Sequence, residues 1–148
     1  MNEPQRHGDT EKRNADGQRQ GPEAHNRNIN AITSAIIGAA IAVHRVLGPG
    51  LLESIYEAAL CVELDERGIR YGRQQHVPAY YKGRRLGTYV VDLIVEDAVV
   101  VEVKSVSVVL PVLIAQLMTY MRLLKKSTGL LINFNCPVLK DGIIRRVL

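Results

Sequence analysis

The sequence predicts a single α/β domain, in which helices pack on a mixed β-sheet with the element order α-α-β-β-β-α-β-β. Two observations predict it. Two segments with apolar residues at helical spacing come first, and a third such segment interrupts a series of β-branched, strand-like segments. Of the 148 residues, 47% are hydrophobic and 23% are charged, which is the balance of an ordinary globular domain with its own core.

Residues 1–28 differ from the rest in composition, since they contain no Val, Ile, Leu, Phe, Tyr or Trp. Such a segment cannot bury enough apolar surface to offset the entropy that is lost on ordering. We therefore expect a disordered polar tail at residues 1–28 and a folded domain at residues 29–148.

Several features favour a cytoplasmic protein that does not enter a membrane. The N-terminus has no apolar signal segment, and charged or polar residues interrupt every apolar run before it reaches the length of a membrane span. Cys61 and Cys136 have no metal-ligand spacing, so we expect two free thiols.

The charge distribution weakly favours an anionic partner. The tail carries five basic and five acidic side chains, so the whole formal charge of +4 belongs to residues 29–148. A basic surface suits a phosphate backbone, although a solvated face explains any one cluster equally well. The basic residues form three clusters: Lys82, Arg84 and Arg85; Arg122, Lys125 and Lys126; and Lys140, Arg145 and Arg146.

The first two elements are predicted to be helices. Asn28 or Asn30 can cap the first, and the Gly-Pro-Gly at residues 48–50 ends it. The second is expected at about residues 52–67, with Gly68 as its C-cap. The predicted inward side chains are, in the first helix, Ile29, Ile32, Ile36, Ala40, Val43 and Leu47, and in the second, Ile55, Ala59, Val62 and Leu64.

The remaining elements are five strands and one helix. Pro111 suits the first turn of the helix, which is expected to run to about Leu124. Turns are expected at residues 82–85 and 137–142 because of their Gly and polar residues. The predicted strands are residues 76–81, 88–95, 98–106, 129–134 and 143–147.

The segment VVDLIVEDAVVVEVKS places three charged residues inside two apolar strands: Asp92, Glu102 and Lys104. A three-residue loop would set Val95 opposite Val99, and would bring both carboxylates to one face beside the lysine. A two-residue loop would send the carboxylates to opposite faces. The sequence alone leaves both registers open.

Converging carboxylates would repel each other and raise one of their pKa values unless a cation lies between them. Lys104 can offset one charge and a hard divalent ion the other, and Mg²⁺ prefers carboxylate oxygens. The alternative is a cross-strand salt bridge on a solvent-exposed face, which is equally compatible with the spacing.

The spacing from Asp92 to Glu102-Val103-Lys104 resembles the D…(D/E)xK signature of the PD-(D/E)XK nuclease superfamily. The segment GPGLLESIYEAAL contains the more specific pattern GxxExxY, formed by Gly50, Glu53 and Tyr56. About residues 30–148 resemble the small bacterial GxxExxY family, which is grouped with these nucleases. The resemblance implies a restriction-endonuclease-like core and a nuclease that acts on nucleic acid, with DNA the expected substrate. Nothing in the sequence excludes a homodimer.

The resemblance also implies roles for individual residues. Asp92, Glu102 and Glu53 would bind Mg²⁺ or its substitute Mn²⁺, and the carbonyl group of Val103 would add a ligand. Lys104 would position or deprotonate the attacking water. Glu53 also suits a plain helix N-terminus, where the dipole favours a carboxylate.

The pair Gln116 and Tyr120 resembles the QxxxY pattern of RecB-type nucleases, and its i, i+4 spacing places both on one face of the third helix. We expect Gln116 to be buried and to contact the active site, or else to bond a backbone group at the sheet edge.

The chain departs from the GxxExxY family at two places. Leu113 and Ile114 stand where members carry a His-Glu pair, and Val91 stands where many carry an Arg. These departures favour a rival hypothesis, a module that has lost catalysis and binds nucleic acid or a protein partner.

Overall fold

The computed structural model of the protein describes the backbone of residues 22–148 and the side chains from residue 28 onward. Residues 1–21 of the predicted tail lie outside the described residues. The backbone is helical from Pro22, so the prediction that Asn28 or Asn30 caps the first helix is wrong. Proline suits a helix start, because its missing N–H has no intrahelical partner there.

The described elements occur in the predicted order and form one five-stranded mixed sheet. The spatial order of the strands is their order in the chain, with β3 and β4 parallel and every other pair antiparallel. The elements are α1 Pro22–Leu47, α2 Glu53–Glu66, β1 Tyr71–Tyr81, β2 Arg84–Val95, β3 Val99–Lys104, α3 Pro111–Leu124, β4 Thr128–Asn133, a short 3₁₀ helix Leu139–Gly142, and β5 Ile143–Val147.

The helices cover the two faces of the sheet. α1 and α2 pack against the face that carries Leu93, Val101 and Ile132, and α3 packs against the other face. α3 is also the crossover between the parallel strands β3 and β4, which need a longer connection than a hairpin turn. The resulting three-layer arrangement agrees with the restriction-endonuclease-like core that the resemblance implies.

α1 is long and apolar enough to cross a membrane, with a mean hydropathy of 1.5 over Asn28–Leu47. The prediction that no apolar run reaches this length is therefore wrong. Here the helix serves as a core element, since Ile36, Ala39 and Ala40 are fully buried within the sheet-facing cluster. A core helix and a membrane span satisfy the same length and hydropathy criteria, so composition alone could not separate them.

α2 turns a different face inward from the predicted one. Ile55 and Val62 were expected inside but are about half exposed, at 47% and 55%. The buried face is formed instead by Tyr56, Glu57, Leu60, Cys61 and Leu64. The large ring of Tyr56 stacks on Phe134 at 4.5 Å between centroids, and this packing orients the helix. Both cysteines are free thiols, as predicted.

The β2–β3 connection is the three-residue loop, because Val95 pairs with Val99. Glu96 and Asp97 in this loop have positive φ angles of 52° and 51°, a conformation that Asp tolerates better than most residues. The register that brings the charged residues together is thus the observed one, which the sequence had left open.

Candidate active site

β2 breaks its side-chain alternation at Asp92. Val91 belongs to the cluster under α3, whereas Leu93, two residues later, belongs to the cluster under α1 and α2. Regular alternation would place both on one face. Opposite this point, Gln74 of β1 has a positive φ of 53°, and the pairing of β2 with β3 extends only to Leu93 and Val101. Asp92 therefore lies where β2 begins to separate from β3.

Two carboxylates bridge the gap between the separating strands. The backbone N–H of Asp92 donates to Glu102 Oε1 at 3.1 Å, and the backbone N–H of Val103 donates to Asp92 Oδ2 at 2.8 Å. These bonds replace the ladder bonds that the strands no longer make, so the buried N–H groups keep partners. Asp92 and Glu102 are thereby held in fixed orientations beside each other.

Glu102 is a buried carboxylate with one nearby cation. It is only 4% exposed, so the alternative of a salt bridge on a solvent-exposed face is wrong. Lys104 Nζ lies 3.6 Å from Glu102 Oε2, a distance at which the attraction is only partial. Burial, reinforced by the charge of Asp92, raises the pKa of Glu102 to about 8 despite Lys104.

A polar cleft of about 200 Å³ opens on the α2 side of this pair. Asp92, Val103 and Glu53 line it, which brings three of the four predicted metal ligands to one cavity. Glu102 lies toward α3 instead. Its neighbours Val101 and Val103 belong to the cluster under α1 and α2, and successive side chains of a strand point to opposite faces. The hydrogen bond between Asp92 and Glu102 connects the two sides of the site through the gap in the sheet.

Glu53 connects α2 to the end of β3. It is the first residue of α2, and its Oε1 accepts a hydrogen bond from the Ser105 backbone N–H at 3.3 Å. The position suits both earlier explanations, since the helix dipole favours a carboxylate there and the side chain also reaches the cleft.

Glu57 is a site residue that the sequence reasoning missed. It is 6% exposed, lines the same cleft, and pairs with Arg73 at 3.0 Å. Gln74 Nε2 donates to Glu57 Oε1 at 2.7 Å and, more weakly, to Asp92 Oδ1 at 3.5 Å. Burial and the charge of Asp92 raise the pKa of Glu57, while Arg73 and Gln74 lower it. Its i, i+4 spacing from Glu53 could have revealed it, because such residues share a helix face.

Tyr120 and Gln116 occupy different surroundings on α3. Tyr120 is buried, contacts Tyr89 edge-on at 5.4 Å, and has its pKa raised to about 12 by burial and by the charges of Glu102 and Asp92. Tyr120 belongs to the cluster under α3, which is the side of the sheet toward which Glu102 lies. Gln116 is only half-buried and lines a separate groove with Leu113 and Tyr89, away from the polar cleft.

The donor set fits a hard divalent cation in its chemistry but not in its spacing. Glu53, Glu57 and Asp92 supply the oxygen ligands that Mg²⁺ prefers. Burial, and after it the charge of Asp92, raises the pKa of both Glu57 and Glu102, and a bound cation would favour their charged forms. Within residues 28–148, however, no three His, Cys, Asp or Glu side chains lie close enough together to hold a metal ion. A bound metal would require these carboxylates to move toward one another.

Comparison with known proteins gives one match. A family model described as the PD-(D/E)XK nuclease superfamily matches residues 30–147, which is nearly the whole described domain. No curated protein and no solved structure gave a match. The matched range includes the whole cleft, the bridging carboxylates and Lys104.

Proposed function

Because the chain belongs to the PD-(D/E)XK nuclease superfamily, we propose that it is a metal-dependent nuclease that hydrolyses phosphodiester bonds of DNA. The observation that best supports the proposal is the pair of hydrogen bonds that fixes Asp92 against Glu102 and Val103 where the two strands separate. This constellation carries charge that costs stability in the free protein, which is characteristic of a functional site.

Three carboxylates and one backbone carbonyl group would bind the metal ion. Asp92, Glu102, Glu53 and the carbonyl group of Val103 would hold Mg²⁺, for which Mn²⁺ is the expected substitute. When bound, such an ion stabilises charge on a phosphate and lowers the pKa of water. The backbone N–H groups of Asp92 and Val103 hold Glu102 and Asp92 beside each other, so binding of the ion would draw the other carboxylate toward this pair.

Lys104 would act on the attacking water and on the phosphate. Its side chain is mostly buried beside Glu102, so its position is restricted and its charge is poorly screened by solvent. An ammonium group in this place can orient water by hydrogen bonding and stabilise the negative charge that develops on the phosphate oxygens. Tyr120, on the side of the sheet toward which Glu102 lies, would help to position the substrate, and Gln116 would do so only from the neighbouring groove.

Two residues of β1 would orient the carboxylates that line the cleft. Gln74 connects Glu57 with Asp92, and Arg73 neutralises part of the charge of Glu57. Partners of this kind fix the rotamers of metal-ligating groups, and their loss commonly lowers metal affinity or activity by about 10–100-fold.

Family membership, domain bounds, cellular location and partner are also part of the proposal. Gly50, Glu53 and Tyr56 support membership of the GxxExxY family, and the domain is proposed to span residues 29–148 after a polar tail. We further propose a cytoplasmic location and DNA as the partner, with a homodimer left open.

A degenerate nucleic-acid-binding module is the second candidate, and it rests on Leu113. This residue replaces a family His and lines an apolar groove rather than the polar cleft, so one polar contact to substrate is missing. Asp92, Glu102 and Lys104 are all present, which favours the enzyme.

Cleavage by single-residue variants separates the two candidates. Asp92→Asn keeps the size of the side chain and one acceptor oxygen for the Val103 N–H but removes the negative charge, and Lys104→Ala removes the ammonium group. Both should fold and lose at least about a hundredfold in Mn²⁺-dependent cleavage. The control Lys125→Ala, at an exposed position on the far end of α3, should cleave like the wild type. Undiminished cleavage by both site variants, purified free of host nuclease, would remove the proposed mechanism.

A further inference from the structure

The β1–β2 hairpin extends well beyond the core. Val77 on β1 and Val91 on β2 are the last buried residues before the turn. Of residues 78–90, all are exposed except Ala79, which is half-buried. We call residues 78–90 the hairpin arm. A two-stranded ribbon that is exposed on both faces gains little stability from burial, so its length needs a different explanation.

The arm has a defined and twisted shape. Lys82 and Gly83 at its tip have positive φ angles of 49° and 74°, the conformation of a tight two-residue hairpin turn. The register shifts between Ala79 and Tyr80, which leaves Leu86 as an extra residue on β2. A bulge of this kind increases the local twist of the ribbon. A twisted two-stranded ribbon is one of the shapes that the major groove of a duplex admits.

The charge of the arm is entirely positive. It carries Lys82, Arg84 and Arg85, and residues 73–91 contain no Asp or Glu. The arm alone therefore has a formal charge of +3, against +4 for the whole chain. Among the described residues, none of them forms an ion pair with a carboxylate. Lys82 lies over the ring of Tyr81 at 5.5 Å, so an aromatic surface accompanies the charge.

A second copy of the chain is a poor occupant for this surface. Edge-to-edge pairing of two arms would bring the three cations of each copy close together, and like charges oppose such contact. β1 is the edge strand of the sheet, and it carries Pro78 on the arm with Lys82 at its end. Proline and lysine on an edge strand protect it against pairing with another strand. The polyanionic surface of a duplex complements the arm instead.

We propose that the hairpin arm binds the phosphate backbone of duplex DNA at a distance from the cleaved bond. The proposal rests on the nuclease function proposed above and adds the way in which the substrate is held. Arg84 and Asp92 lie eight residues apart on β2. At about 3.3 Å per residue this is roughly 26 Å, which corresponds to about eight base pairs of duplex at 3.4 Å each.

Binding measured without divalent metal tests the arm independently of catalysis. The variant Lys82→Gln/Arg84→Gln/Arg85→Gln should fold normally, because all three side chains are exposed. Its matched control removes three exposed cations elsewhere, in Arg122→Gln/Lys125→Gln/Lys140→Gln. Both are compared with the wild type on a fluorescent DNA duplex of about 25 base pairs in EDTA, over a range of salt concentrations.

The arm variant should lose at least tenfold in affinity near physiological salt. Each phosphate contact contributes about 0.9 to the slope of log K against log salt, so three lost contacts should reduce that slope by about 2.7. The control variant should keep most of the affinity and slope. A duplex shorter than about eight base pairs cannot contact the site and the arm at once. On such duplexes the difference in affinity between the wild type and the arm variant should decrease.

Three results would overturn the proposal: unchanged affinity and slope in the arm variant, an equal loss in the control, or conversion of a dimer to a monomer in ultracentrifugation. Mn²⁺-dependent cleavage of the same duplex by the wild type tests the nuclease function separately. If the wild type cleaves and the arm variant binds DNA normally, the proposed DNA-binding role of the arm is rejected and the nuclease function is retained. If binding depends on the arm but no cleavage occurs, the DNA-binding role of the arm is retained and the nuclease function is rejected.

Discussion

Glu102→Gln should stabilise the metal-free protein at alkaline pH while removing a proposed metal ligand. Burial and the charge of Asp92 raise the pKa of Glu102 from 4.5 to about 8 in the folded state. The folded protein therefore binds more protons than the unfolded chain between these values, and its stability falls as the pH rises from about 4.5 through about 8. A glutamine never ionises, so the variant escapes this loss.

The stability that Glu102→Gln gains can be calculated from the raised pKa of Glu102. At about 1.4 kcal/mol per pH unit, raising the pKa from 4.5 to 8 corresponds to an upper limit of about 5 kcal/mol above pH 8. Lys104 then loses its anionic neighbour in the variant, which offsets part of the gain. We expect Glu102→Gln to exceed the wild type by about 2–3 kcal/mol at pH 8.5 and to match it near pH 5.

Urea denaturation in EDTA at these two pH values measures the effect. The control Glu63→Gln removes an exposed i, i+4 ion pair with Arg67 and should change stability by less than about 0.5 kcal/mol at both. Added Mg²⁺ should stabilise the wild type at pH 8.5 and leave Glu102→Gln unaffected. A variant that is less stable than the wild type at pH 8.5, or a difference independent of pH, would refute the electrostatic reasoning.

Three further substitutions test the surroundings of the site. Tyr56→Phe removes the hydroxyl that donates to the Gly48 carbonyl, and should cost about 1–3 kcal/mol in urea denaturation. Gly142→Ala would place a methyl group well inside van der Waals contact of the Asn133 carbonyl oxygen, so we expect a loss of at least about 2 kcal/mol, seen as a lower Tm. Gln74→Ala should lower Mn²⁺-dependent cleavage by about tenfold with little change in Tm, since it orients the cleft. An unchanged rate for this last variant would remove Gln74 from the site.

The element order and α3 were accessible from the sequence because their determinants are local. Pro111 begins α3 and Leu124 ends it, as predicted. The hairpin strands were predicted too short: β1 begins at Tyr71 and β2 at Arg84. Their additional residues are polar or exposed and pair mainly through backbone groups, so hydrophobic alternation does not reveal them.

The site was only partly accessible because it depends on tertiary geometry. The three-residue loop was one of two registers that the sequence allowed, and pairing of Val95 with Val99 decided between them. The break in alternation at Asp92 requires the positive φ of Gln74 on another strand, which no local pattern encodes. Glu57 was missed for a related reason, since its partners belong to β1 and the buried face of α2 was incorrectly predicted.

Metal-dependent nuclease activity at the carboxylate pair is tested by incubating a panel of nucleic acids and Mn²⁺ with the wild type and with Glu102→Gln. The panel contains linear and circular, single- and double-stranded and branched DNA, together with RNA. Urea denaturation establishes independently that the variant is folded, so lost activity cannot be attributed to unfolding. We expect the wild type to cleave at least one DNA and the variant to cleave none. Equal cleavage by both, or no cleavage by the wild type with salt-dependent binding retained, would contradict it.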